Sequence, residues 1–251
     1  MRGCVTGVAA DGFYIQSESP DADPATSEGV FVYRWSGRRN PRELEPGDLL
    51  VIHDVGVREF YGSTEIVKLK SDRNAAYRRL GSCRLPAPVT IEPPAEPSRD
   101  PEVTLERYEE MRVALELNGV VSGSTTRYSS RFPAGDPEIA LIPSDSPLAD
   151  RRVFAGEVPV GRGMVYLSGG LGRDLPEVRV GDRLTASTLS GILAFQFGRY
   201  VLLIDQDPSL IAVQKATEPL PDRSPISPEE FGICSFNLEN LYDAADDGDG
   251  D

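Results

Sequence analysis

The sequence predicts an all-β protein built as two small barrels in tandem. Short apolar runs of strand length alternate with turn signals through the first 70 residues, and again from about 107 to 217. No segment of those first 70 residues keeps a helical period for more than a turn or two. One set of landmarks also recurs in the same order in both halves, which marks an internal repeat. With 251 residues, 24 glycines and 21 prolines, the composition suits small cores joined by many turns. It excludes a long-helix bundle, a collagen or a wholly disordered chain. No apolar run approaches the ~20 residues of a membrane-spanning helix. One histidine (His53) and three cysteines exclude a Cys/His zinc cluster made by this chain alone.

In the first half, strands are expected at Gly3–Ala9, Gly12–Ser17, Gly29–Trp35, Asp48–Val57 and Ser63–Leu69. Between them lie Ala10-Asp11-Gly12, the polar loop Glu18–Glu28, Asn40-Pro41 with Pro46-Gly47, and Tyr61-Gly62. Five short strands with such turns close most economically as a barrel of the oligonucleotide/oligosaccharide-binding (OB) type. This gives barrel 1 over 1–85. Cys4 and Cys83 either close it as a disulfide, worth about 4–5 kcal/mol for so long a loop, or remain reduced, buried thiols like Cys234. His53 alternates with Val51 and Val55 and has no nucleophile placed beside it, so it receives no chemistry.

Proline and acid dominate 86–106, read as a linker, and Thr104 is expected to cap a short helix through Glu110. The period-two run Met111–Leu117 then opens barrel 2, over 107–217, with a long turn-rich insert around Ser122–Arg152. The repeat ties the halves together. Pro46-Gly47-Asp48-Leu49-Leu50 precedes Phe60-Tyr61-Gly62, and Val180-Gly181-Asp182-Arg183-Leu184 precedes Phe195-Gln196-Phe197-Gly198. Gly-Asp supplies a tight turn into a strand, and the aromatic-glycine pair a reversal out of it. A second linker (218–229) and a third region (230–251) complete the chain.

The net charge of -14 is unevenly spread. Ten acids against Arg223 give 218–251 a charge of -9 and leave -5 for 1–217. Lysine occurs only at 68, 70 and 215, so 23 of the basic residues are arginine, whose planar fork suits phosphate and stacking. Arg34, Arg38, Arg39 and Arg42 cluster, as do Lys68 through Arg84, so a phosphate-binding face is not excluded. Phe31, Tyr33 and Trp35 fall on one face of a strand. They either form a stacking platform for bases or sugars or fill the barrel, and Arg34 on the opposite face favours filling. Tyr14, and Tyr128 flanked by Arg127 and Arg131, are further stacking candidates.

The last apolar segment is Phe231-Gly232-Ile233-Cys234-Ser235-Phe236-Asn237-Leu238-Glu239-Asn240-Leu241-Tyr242-Asp243, behind a Ser227-Pro228 helix entry. It reads as a buried strand of an α/β domain with Asn237 at its end. Ser235–Asp243 followed by an Asp-rich stretch resembles the opening strand of the endonuclease/exonuclease/phosphatase superfamily, the DNase I-like fold. The upstream pieces are Gly12-Phe13-Tyr14-Ile15-Gln16, Ala25–Tyr33, Gly47-Asp48-Leu49 and Arg107–Met111. They resemble OB-like domains that precede the nuclease domain of secreted or surface-anchored bacterial nucleases.

The resemblance implies an extracellular or cell-surface parent. There a divalent cation, Mg2+ or else Ca2+ or Mn2+, acts in the nuclease domain, with Asn237 as part of the site. Phosphodiester hydrolysis also needs a positioned base for the attacking water, and one asparagine supplies neither the full ligand set nor that base. The reading is therefore of a truncated nuclease: an accessory region with no cofactor and no complete catalytic set, expected to bind nucleic acid, DNA before RNA, and to serve its own C-terminal domain. No export signal opens this sequence. A structural spacer or a protein- or glycan-binding β-module is the alternative. The alternating Asp247, Asp249 and Asp251 suggest a calcium loop, but lack its closing bidentate acid.

Overall fold

The computed structural model describes residues 1–33, 44–68, 77–94, 96, 104–128, 135–149 and 162–217. The chain divides into Met1–Ala216 and a second unit from Thr217. The linker and nuclease-like strand expected over 218–251, with Asn237, lie outside the described residues.

Among the described residues, Met1–Ala216 is nearly all β, arranged as two mixed sheets of seven strands each. The first contains β1 (Arg2–Val8), β2 (Gly12–Gln16), β3 (Gly29–Tyr33), β4 (Asp48–Ile52), β5 (Val55–Phe60), β6 (Ser63–Lys68) and β7 (Tyr77–Ser82). The second contains β8 (Val89–Thr90), β9 (Arg112–Tyr128), β10 (Asp136–Pro143), β11 (Val165–Ser168), β12 (Arg183–Gln196), β13 (Arg199–Ile204) and β14 (Ala212–Gln214).

The two sheets share one pairing map. In the first, β1 pairs antiparallel with β2 and β4, β2 with β3, β5 with β6 and β4 with β7, while β3 and β6 run parallel. In the second, β9 pairs antiparallel with β10 and β12, β10 with β11, and β12 with β13 and β14, while β11 and β13 run parallel. One long strand, β12, bridges β9 and β13 and closes barrel 2. Its counterpart is broken into β4 and β5 at His53-Asp54, where Asp54 takes φ 55°. His53 is exposed there, with Nδ1 2.7 Å from the Asp54 carboxylate. A non-glycine residue in the left-handed region interrupts the ladder, so the single strand expected over Asp48–Val57 is two.

The repeat proves to be geometric. Gly47 and Gly181 take φ 97° and 91°. Asp48 accepts from the backbone N–H of Glu45 at 3.1 Å, and Asp182 from that of Arg179 at 3.0 Å. At the far end, Tyr61-Gly62 (φ 51°, 88°) and Phe197-Gly198 (φ 52°, 77°) form the same hairpin turn, with positive φ at both central residues.

Val5, Phe13, Ile15, Val30, Val32, Leu50 and Ile66 fill barrel 1. A longer set including Leu115, Ile139, Leu167, Leu184, Leu189 and Leu202 fills barrel 2. A third cluster, described below, joins them. Cys4 and Cys83 form a disulfide with Cα atoms 5.9 Å apart, which ties β1 to the chain beyond β7. Three expectations are corrected. Most of the described part of the supposed insert is the end of β9 and all of β10, since the strands outrun the core they line. The helix expected through Glu110 is helical at Thr104 and Leu105 and tightens to a 3₁₀ turn over Glu106–Tyr108 before it ends. The edge strand β7, rich in arginine and mostly exposed, lacked the apolar alternation that would have announced it.

Candidate functional site

Strand alternation decides where the aromatic stripe points. Val30 and Val32 face the interior of barrel 1, so Phe31 and Tyr33 face outward. The expectation that these rings fill the barrel is thereby reversed. Yet the outward face is not open. Tyr14 and Phe31, cross-strand neighbours with ring centroids 4.8 Å apart, pack against Ile192, Ala194, Val201 and Leu203 of barrel 2. Tyr14 is 2% exposed and cannot stack on a ligand in solution. Its hydroxyl is pushed well above the usual tyrosine range by burial and by the nearby Glu110 and Asp11 carboxyls. Tyr33 sits at the margin, with the Arg58 guanidinium 5.3 Å from its ring centre.

The arginine candidates fare differently. Arg127 is held by Asp174 at 2.8 Å and by Glu177, so its charge is already neutralised beside the exposed ring of Tyr128. Arg34, Trp35, Arg38, Arg39 and Arg131 lie outside the described residues. Arg58, Arg79, Arg112 and Arg199 are each paired with a carboxylate: Glu65, Asp48, Asp205 and Glu138.

What the two barrels build together is a cavity of about 560 Å³. One wall is the outward face of β2, β3 and β6, carrying Tyr14, Phe31 and Glu65. It is flanked by the Ala9–Asp11 turn and by the hairpin tip Phe60-Tyr61. The other wall is barrel 2: Asp136, Gly170, Leu203 and the hairpin tip Phe195–Phe197. The floor includes Glu110, from the short connection between barrels.

That connection clamps the two halves. Thr64 donates its backbone N–H to Glu109 at 3.1 Å, Ser63 Oγ donates to Glu110 Oε1 at 3.1 Å, and the Glu110 N–H reaches the Leu193 carbonyl at 2.8 Å. Arg112 N–H donates to the Gln16 side chain at 3.0 Å. Glu110 takes φ 59° to make the corner. Both carboxyls are buried and each keeps one oxygen without a hydrogen-bond partner. Burial, opposed by the Thr64 hydrogen bond, pushes Glu109 up to about 7. Burial and the neighbouring Glu109 push Glu110 up well beyond the usual carboxylate range. Among the described residues no group of three or more His, Cys, Asp or Glu side chains is placed to hold a metal ion.

No protein-family model matches the chain, and no curated protein does. Among solved structures it is similar to a crystal structure of fission yeast Pot1 with single-stranded DNA. The match has 12% identity, covers 88% of this chain and 83% of that one, and has a TM-score of 0.24. A superposition that loose carries no argument.

The cavity carboxyls Glu65, Glu110 and Asp136 escaped the sequence reading, because they come from three distant segments. One signal was available. Tyr61 and Phe197 occupy a turn position that favours asparagine, in both halves, and bulky aromatics there serve no purpose of the turn.

Proposed function

We propose that this chain is the tandem OB-type accessory region of a secreted, metal-dependent nuclease, positioning nucleic acid for a DNase I-like domain that begins near Phe231. Three features support the reading. The OB pairing map occurs twice, and such barrels bind oligonucleotides. The Cys4–Cys83 disulfide suits an oxidising compartment. The Ser235–Asp243 segment resembles the opening strand of that nuclease superfamily, with Asn237 assigned to the neighbourhood of its divalent cation.

The observation that carries the binding half concerns strand ends. β3 and β6 are parallel neighbours ending at Tyr33 and Lys68. The two basic stretches, which start at Arg34 and Lys68, therefore leave barrel 1 from the same end. The sequence after β3 carries Arg34, Arg38, Arg39 and Arg42 and that after β6 carries Lys70 and Arg73, basic residues of the kind that attract a phosphate backbone, with Trp35 among them for stacking. The test is titration of the chain with a single-stranded DNA oligonucleotide at low salt, read by the lone Trp35. Binding that weakens steeply with salt, and at least fivefold in the Arg34→Ala/Arg39→Ala double variant, is expected. Unchanged fluorescence at low salt, or a double variant that binds like wild type, overturns it.

A second reading makes the barrels a spacer or a protein- or glycan-binding module. It is favoured by the pairing of Arg58, Arg79, Arg112, Arg127 and Arg199 with carboxylates. Under it, the same double substitution leaves the parent enzyme's activity on DNA unchanged.

A further inference from the structure

The inter-barrel cavity has a chemistry opposite to that of the basic stretches. No lysine or arginine is among its described lining residues, while Asp11, Glu65, Glu110 and Asp136 all contribute to it. Glu65 is neutralised by Arg58, with a nitrogen-oxygen distance of 2.8 Å, and Asp136 accepts from Ser168 Oγ at 2.9 Å. Glu110 differs from both. It is 2% exposed, lines the cavity, and has an oxygen that accepts no hydrogen bond. An unpaired buried carboxyl oxygen is costly and is persistent only where something supports it.

The rim carries the second feature. Phe60, Tyr61 and Phe197 are 47%, 79% and 84% exposed. Tyr61 and Phe197 are held at φ 51° and 52°, a left-handed conformation that is unfavourable for aromatic residues. Equivalent turns of the two barrels thus both place a strained, solvent-facing ring at the mouth of one cavity. Aromatic faces above carboxylates attract organic cations, through the ring quadrupole and direct charge. They repel a phosphate chain. A ligand of this kind also spans both barrels.

We propose that the cavity between the two hairpin tips binds an organic cation, an ammonium or guanidinium group, with Glu110 at its floor and Tyr61 and Phe197 at its rim. The site is independent of nucleic-acid binding at 34–43. Asp11, Glu65, Asp136 and Tyr14 line the cavity with Glu110, and burial, the neighbouring Glu109 and, less, Glu65 push its carboxyl up against hydrogen bonds from Ser63 and the Phe195 backbone. An entering cation supplies the charge that returns it to the carboxylate. The volume, about 560 Å³, suits a side chain or small amine rather than a folded partner.

The test titrates the full chain by calorimetry with four probes: 1,5-diaminopentane, a capped Gly-Lys-Gly peptide, its norleucine counterpart, and a neutral β-glucan oligosaccharide. At least one amine probe is expected to bind tenfold or more tightly than the norleucine peptide. Preference for diamine or peptide identifies a free amine or a protein side chain as the source. Glu110→Gln and Tyr61→Asn should each weaken binding at least tenfold. Asparagine keeps the turn at position 61, so that variant, with Phe197→Asn beside it, remains informative if Glu110→Gln does not fold. The Arg34→Ala/Arg39→Ala variant should bind amines like wild type, whatever its affinity for DNA. Equal binding of lysine and norleucine peptides, preference for the oligosaccharide, no binding by any probe, or amine binding indifferent to the rim variants overturns the proposal.

Discussion

The two barrels share one pairing map, apart from β8 lying parallel to β9 in the second, yet differ in how they close. Barrel 2 closes through one 14-residue strand, β12, and around a large buried cluster. Barrel 1 closes through two pieces hinged at Asp54, around a smaller cluster among the described residues, with a disulfide added. One topology therefore tolerates two balances of stabilisation. Where burial is extensive, apolar area suffices. Where the strand is broken and the core small, a covalent tie compensates.

Removing that tie is the harshest way to break the comparison. Cys4→Ser with Cys83→Ser opens a loop with a sequence separation of 79, which should lower barrel 1 stability by about 4–5 kcal/mol on the chain-entropy model. Hydrogen exchange should then show β1 and β4 amides losing protection well before those of β9 and β12. Equal loss in both barrels would mean that they unfold as one cooperative unit.

The equivalent aspartates sharpen the contrast. Asp182 is fully buried and accepts from the backbone N–H groups of Arg179 and Ala216, at 3.0 and 2.8 Å, and from Lys215 Nζ at 3.0 Å. Asp48 accepts from Glu45 N–H and is paired with Arg79. Asp182→Ala strands two backbone donors where Asp48→Ala strands one, so expected losses are about 2–3 and 1–2 kcal/mol by denaturant unfolding. Burial opposes the ionised form of Asp182, but its hydrogen bonds and Lys215 prevail and draw it down to about 2. A depressed carboxyl stabilises fully above its unfolded value, near 3.8, and ceases to do so as pH falls through about 2. The Asp182 turn should therefore hold at pH 3 and release near pH 2.

The barrels were legible because their turns carry local chemistry. Gly47-Asp48 and Gly181-Asp182, or Tyr61-Gly62 and Phe197-Gly198, announce themselves within four residues. Even the broken strand and the reversed aromatic face followed simple rules. Val30 and Val32 alternate with Phe31 along β3, and they pack inside with Phe13 while Phe31 goes out. What could not be read was the seam. Nothing near Tyr14 in the sequence says that Val201 and Leu203 will cover it, nor that Glu110 and Asp136 will share a cavity. Those contacts arise only when two completed barrels dock.

The seam has its own pH response. The folded pKa of Glu109 is raised from 4.5 to about 7. The stability tied to its protonated form is thus complete below about 4.5 and lost as pH rises through about 7. Glu109→Gln should remove most of that dependence, stabilising the chain at pH 8 by about 2 kcal/mol after allowance for solvent screening. Thermal melts at pH 5 and pH 8 check it, and parallel curves for variant and wild type would show that the carboxyl is ionised in the fold throughout.

The smallest and most selective comparison uses the two hairpin glycines. Both have positive φ, so alanine costs each turn about 1 kcal/mol. At Gly198 a methyl group meets nothing within 4 Å, whereas at Gly62 it lies 2.7 Å from the Phe195 ring of the other barrel. Gly198→Ala should show the turn penalty alone. Gly62→Ala should show the same penalty plus a further ~1 kcal/mol from displacing Phe195, and the difference between the two melting curves isolates the inter-barrel contact. Because Phe195 also lines the cavity, Gly62→Ala should disturb amine binding while Gly198→Ala spares it. Identical behaviour of the two variants would mean that the tip of barrel 1 does not rest on barrel 2 in solution, and the shared cavity would lose a wall.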